Sequence, residues 1–261
     1  MTTHFGASFF YRPRPSDLPG QVTALLAGFG DTFLGEEIRF QGMLSGTDKF
    51  SRLRQLSNKA LEQLGRDMKQ GVFSSLLVFA GPATTTQGAL SVELVPANSG
   101  SGFGCIDFVT TCDPMDRERS TKYSRTIWEI CSSSYGFEIW GESDSEVRSE
   151  LTGVPIRAWN DPLPLDEEER LLRLQRIRRN LGSFSRGAAW GSYLGEDLEM
   201  RLHLSGRDLS EAPVERVERL ARGIYLRLRE QPLPVSSVEY RQAAAELESF
   251  LQPILENLST P

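Results

Sequence analysis

The sequence predicts an α+β protein of two lobes, each an antiparallel sheet covered by helices. Three observations lead there. Apolar residues recur at helical spacing up to Met68, switch after Gly71 to three β-rich runs at residues 72–79, 89–95 and 103–109, and return to helical spacing from about Ser120. The separators of those runs are rich in Gly, Pro, Asn and Thr, which makes them hairpin turns of an antiparallel meander. A second set of helix and strand signals follows a stretch stiffened by prolines, Asn160, Asp161, Pro162, Leu163 and Pro164. That stretch reads as the boundary between an N-terminal lobe, residues 1–160, and a C-terminal lobe, residues 161–261, packed against it, with one continuous domain as the alternative.

Residues 4–11 are aromatic and compact enough for a first strand, closed by Arg12, Pro13, Arg14 and Pro15. A helix follows, capped by Ser16 or Asp17, with Pro19 in its first turn and Leu18, Val22, Leu25, Leu26 and Phe29 on one face. Ile38 and Phe40 mark a short strand. Thr47 or Asp48 then opens a second helix, whose stripe is Phe50, Leu53, Leu56, Ala60, Leu64 and Met68. Beyond the meander, a helix carrying Tyr123, Ile127, Ile130 and Cys131 runs toward Gly136, and Phe137, Glu138, Ile139 and Trp140 make another strand. In the second lobe, Asp166 and Glu169 form a capping box for a helix with Leu171, Leu174, Ile177 and Leu181 on one side. Arg170, Arg173, Arg176 and Arg179 occupy its solvated side. The last helix starts at a capping box of Ser236 and Glu239, buries Tyr240, Ala243, Leu247, Phe250 and Ile254, and is kinked or restarted by Pro253.

The stretch from Arg186 to Gln231 carries the most specific pattern. Trp190, Tyr193 and Leu194 set bulky groups beside Gly191, which lets backbone approach closely at a buried strand end. After a break at Gly206 and Asp208, Val214, Val217 and Leu220 lead through Gly223 into Ile224, Tyr225, Leu226, Arg227 and Leu228. The alternation makes this a half-buried strand, with Ile224, Leu226 and Leu228 inward and Tyr225, Arg227 and Arg229 outward. This order of Trp-Gly, short helix, Ala212-Pro213-Val214, strand, proline loop and Tyr-led terminal helix resembles the C-terminal half of bacterial type VI secretion immunity proteins of polymorphic toxin systems. The resemblance covers residues 186–256. It implies a protein that binds and neutralises a cognate toxin by stoichiometric occlusion, with no catalytic residues, no cofactor and no metal.

Composition narrows the field. The chain is 39% hydrophobic and 25% charged, and no apolar run approaches the roughly 18 residues of a membrane span. Met1, Thr2, Thr3, His4 and Phe5 lack the basic-then-apolar pattern of a secretory signal, so a cytoplasmic protein with no membrane partner is expected. A formal net charge of −6 argues against nucleic acid and suits a basic toxin. Cys105, Cys112 and Cys131 are odd in number and widely spaced, which predicts reduced thiols and no zinc site. Glycines near residue 100 lead into a strand rather than a helix, so they make no phosphate loop. Toxin contact is expected on loops held by the sheets: Thr84, Thr85, Thr86 and Gln87, then Asn98, Ser99 and Ser101, and the polar stretch Trp159, Asn160 and Asp161. Two alternatives stand beside this reading. One is an enzyme whose site does not show in the sequence, and the other a structural or adaptor protein of a secretion system.

Overall fold

The computed structural model describes residues 3–14, 16–82, 86–94, 103–112, 117–153 and 185–255. Its strands are β1 (Thr3–Tyr11), β2 (Ile38–Leu44), β3 (Arg54–Gln55), β4 (Phe73–Ala80), β5 (Gly88–Glu93), β6 (Gly104–Cys112), β7 (Tyr135–Gly141), β8 (Gly191–Leu194), β9 (Arg216–Leu220) and β10 (Gly223–Arg227). Its helices are α1 (Leu18–Thr32), α2 (Asn58–Lys69), α3 (Arg117–Cys131), α4 (Asp144–Thr152), α5 (Glu196–Leu204) and α6 (Val238–Leu251).

All ten strands join one sheet in the order β3-β2-β4-β5-β6-β1-β7-β8-β10-β9, and every strand pairing is antiparallel. The α+β class holds, with one sheet where two were expected. The reason is the pairing of β7 with β8, which sets Tyr135 opposite Leu194 and Glu138 opposite Gly191 and so carries the ladder from the first half of the chain into the second. The expected boundary near residue 160 lies outside the described residues.

The alternation of β1 sends Phe5, Ala7 and Phe9 to one face of the sheet and Gly6, Ser8 and Phe10 to the other. Helices α1 and α3 cover the first face: Phe29 of α1 and Tyr123 of α3 both meet Phe108, which in turn meets Phe5. Helix α4 covers the second. Gly6 is required there, because a Cβ at that position would lie 2.4 Å from Val147 of α4. With both faces covered, all seven residues of β7 are buried, and the outward face expected for β10 is closed as well, with Tyr225 only 2% exposed. The open edges are short or charged. Strand β3 has two residues, and β9 carries Arg216, Glu218 and Arg219, which discourages pairing with another chain.

Three local expectations change. The stripe beginning at Phe50 is not helical: Gly46 takes φ 73°, Leu44 donates its amide to the Lys49 carbonyl, and the chain returns along β2 as β3. Phe50 and Leu53 are 48% and 41% exposed, so their helical spacing is coincidental, and α2 begins only after Ser57, whose hydroxyl caps the Ala60 amide. Helix α4 has no counterpart in the sequence reading, although Ser143 accepts from the Glu146 amide and Glu146 reaches back to the Glu142 amide at 2.7 Å, a capping-box arrangement readable three residues apart. Helix α6 is capped by Ser237 rather than Ser236, and Pro253 sits in a short 3-10 turn that ends it.

Trp190 fills the joint behind β8. Its ring is 0% exposed, meets Trp140 edge-on at 5.7 Å between centroids, and donates Nε1–H to the Gln231 carbonyl at 3.1 Å. Trp190→Ala is expected to cost about 3–5 kcal/mol, the range for deleting a fully buried large aromatic ring. Urea denaturation reads this as a lowered midpoint, and an unchanged midpoint would contradict the packing.

Candidate functional site

Of the residues expected to meet a toxin, Thr86 and Gln87 are described, and both are exposed. Gln87 is also structural: its side-chain amide donates to Glu36 at 2.6 Å, while its carbonyl accepts from the Thr110 hydroxyl and the Thr111 amide. Thr84, Thr85, Asn98, Ser99, Ser101, Trp159, Asn160 and Asp161 lie outside the described residues.

Two polar constellations escape the sequence reading. The first is internal. Glu138 projects from β7 toward α3 and is 0% exposed, and its two carboxyl oxygens accept from the Tyr193 hydroxyl of β8 at 2.7 Å and the Tyr225 hydroxyl of β10 at 2.8 Å. Gly191 makes room for this, since a Cβ there would fall 2.5 Å from the carboxylate and 2.7 Å from the Tyr225 oxygen. Trp128 of α3 packs on Tyr193 at 5.3 Å, and Arg125 lies over the Tyr225 ring at 5.5 Å while gripping Glu218 of β9 with two hydrogen bonds of 2.8 and 2.6 Å. Burial pushes the Glu138 carboxyl up to about 7, against the opposing effect of the two tyrosine donors and Arg125. Burial also drives both phenols well above their ordinary range, with the neighbouring carboxyl adding to it, so they stay protonated donors. Among the described residues, Glu138 has no solvent-exposed surface.

The second constellation is open to solvent. A cleft of about 460 Å³ lies at the end of the sheet where β1 leaves and Phe103 leads into β6. Arg12 and Arg14 enter it from the segment after β1, Arg201 from α5 and Arg222 from the β9–β10 turn, while Asp17 and Asp197 also line it. The floor is the turn between α3 and β7, where Ser132 takes φ 48° and Ser134 is held by hydrogen bonds to the Phe10 carbonyl and from the Gly195 amide. Arg12 stacks on the Phe103 ring at 4.8 Å, and Arg222 donates to the Ser132 hydroxyl. Cys131 borders the cleft as a free, buried thiol, which burial pushes up to about 12. Cys105 is likewise buried, with its thiol 3.2 Å from the Asp107 carboxylate.

No protein-family model matches the chain. No curated protein sequence matches it either. Solved structures do match, among them the Pseudomonas aeruginosa T6SS protein PA0821, which aligns with a TM-score of 0.61 at 10% sequence identity over 97% of this chain and 73% of that one. The chain shares its fold with a type VI secretion protein. At this identity the likeness is one of architecture, and it runs through both halves of the sheet rather than the C-terminal quarter alone. Among the described residues, no helix is long and apolar enough to cross a membrane.

The buried acid makes stability depend on pH. A carboxyl raised from its ordinary 4.5 to about 7 holds its proton in the folded state while the unfolded chain has released it, so its contribution is full below about 4.5 and is lost as pH rises through 7. Glu138→Gln cannot ionise. Between about pH 5 and about pH 8 the wild-type protein is expected to lose about 3 kcal/mol more unfolding free energy than the variant. Urea titrations of both proteins at the two pH values measure the difference, and parallel pH profiles would contradict the assignment.

Proposed function

We propose that this chain is an immunity protein of a type VI secretion system, which binds a cognate toxin one to one and neutralises it by covering the surface the toxin needs. The observation that carries this reading is the fold shared with a T6SS protein across 97% of the chain. It is supported by the pattern of residues 186–256, which resembles such immunity proteins and which the fold builds into strands β8 to β10 and helix α6. A ten-stranded sheet whose central strands β1 and β7 are buried is a rigid frame for presenting loops, and occlusion needs a complementary surface and nothing more. The formal net charge of −6 favours fast encounter with a basic toxin, and action in the cytoplasm suits a protein in which Cys131 is a buried free thiol.

An enzyme reading would lean on Glu138, the described carboxyl with the largest upward displacement. Its enclosure beneath Trp128, Tyr193 and Tyr225 leaves it no solvent-exposed surface among the described residues, which favours the binding reading. On this reading the toxin gene lies beside that of this chain; co-expression of the pair should restore growth, and the two proteins should co-purify at equal stoichiometry. Trp159→Ala should weaken the complex without moving the unfolding midpoint. Rescue at far substoichiometric amounts, with covalently altered toxin recovered, would overturn occlusion.

A further inference from the structure

We infer that the arginine-lined cleft is a receptor for carboxylate groups, and that it takes an acidic loop of the protein partner; the identity of that partner rests on the immunity reading above. Four arginines converge on the cleft from positions 12, 14, 201 and 222, on three separate parts of the fold, in a chain whose net charge is −6. Like charges gather this way at a cost in mutual repulsion, and an anion between them removes it. Among the described residues, no carboxylate stands within ion-pair distance of Arg12, Arg14 or Arg222. Two of these groups are nevertheless held in place, Arg12 by stacking on Phe103 and Arg222 by the Ser132 hydroxyl. Guanidinium groups fixed by contacts that leave their charge uncompensated are arranged for bidentate recognition of planar oxyanions.

The lining distinguishes a peptide from a polyphosphate. Asp17 and Asp197 face the same space, which brings the formal charge of the cleft from four positive to two positive. A chain of phosphates would meet both aspartates as repulsion, whereas a protein loop bearing two carboxylates matches the excess and can offer amide donors to the aspartates. Phe103 and Leu198 supply apolar wall for the methylenes of such side chains. The long-range field of the whole chain and the local chemistry of the cleft therefore differ in sign. The first steers a basic partner inward, and the second fixes which of its acidic loops docks.

The probe is a capped tetraglutamate peptide, titrated into the intact protein by calorimetry at low salt and compared with inorganic phosphate. The peptide is expected to bind with a dissociation constant in about the millimolar range, and Arg14→Glu with Arg222→Glu should weaken it by at least about tenfold. Both substituted residues are exposed, so an unchanged urea midpoint will confirm that the variant is folded. No peptide binding by the wild-type protein, binding that the double variant retains, or phosphate binding tighter than the peptide would each overturn the inference. Co-purification with the toxin separates this result from the immunity reading. Toxin held equally by wild-type and double-variant protein removes the cleft from the interface and leaves the function standing, while peptide binding without any toxin complex does the reverse.

Discussion

A carboxyl group at the middle of a ten-stranded sheet governs how the two halves of this protein fit together. Burying an acid among aromatic rings is unfavourable unless its oxygens have donors, and the two phenols that donate to Glu138, Tyr193 and Tyr225, both come from the opposite half of the chain. Its demand fixes several neighbours at once. Residue 191 must be glycine, since any side chain would strike the carboxylate, and β8 must pair with β7 in the observed register, since a slip of one residue would turn Tyr193 to the far face of the sheet. On that far face, Arg186 and Glu150 make a second buried contact at 3.0 Å, with the guanidinium over the Phe137 ring at 4.4 Å. Both faces of the joint thus carry a polar tie that only the correct assembly satisfies.

The parts of the fold legible in the sequence are those whose signals are local. The meander of β4, β5 and β6, the short strand at Trp140, the Trp190-Gly191 strand end and the terminal helix all follow from periodicity and turn residues within a dozen positions. The failures are helical or alternating patterns overruled by a turn beside them or by a distant partner. Phe50 and Leu53 fell on a helical spacing by chance while Gly46 and Leu44 committed the segment to a hairpin. Tyr225 alternated with Ile224 and Leu226 as an outward residue should, and α3, more than 90 positions earlier, covers it.

The same limit hid both polar constellations. Phe137, Glu138, Ile139 and Trp140 read as a strand, and nothing nearby announces tyrosines 55 and 87 residues away. The arginines of the cleft come from four positions scattered between 12 and 222, each of which reads alone as an ordinary exposed charge. Proline and serine around Arg12 and Arg14 signalled a turn, and only the sheet order shows that this turn shares an end of the sheet with the β9–β10 hairpin.

The central place of β1 has a further consequence for how the chain comes into being. This strand is synthesised before every other described element, yet both of its partners, β6 and β7, follow much later, the second ending at Gly141. At ribosomal rates its edges stay open for on the order of ten seconds, with Phe5, Phe9 and Phe10 uncovered. A nascent chain of this design depends on its helices or on chaperones to shield the strand that will become its axis, and the sheet closes only after its middle has waited for its flanks.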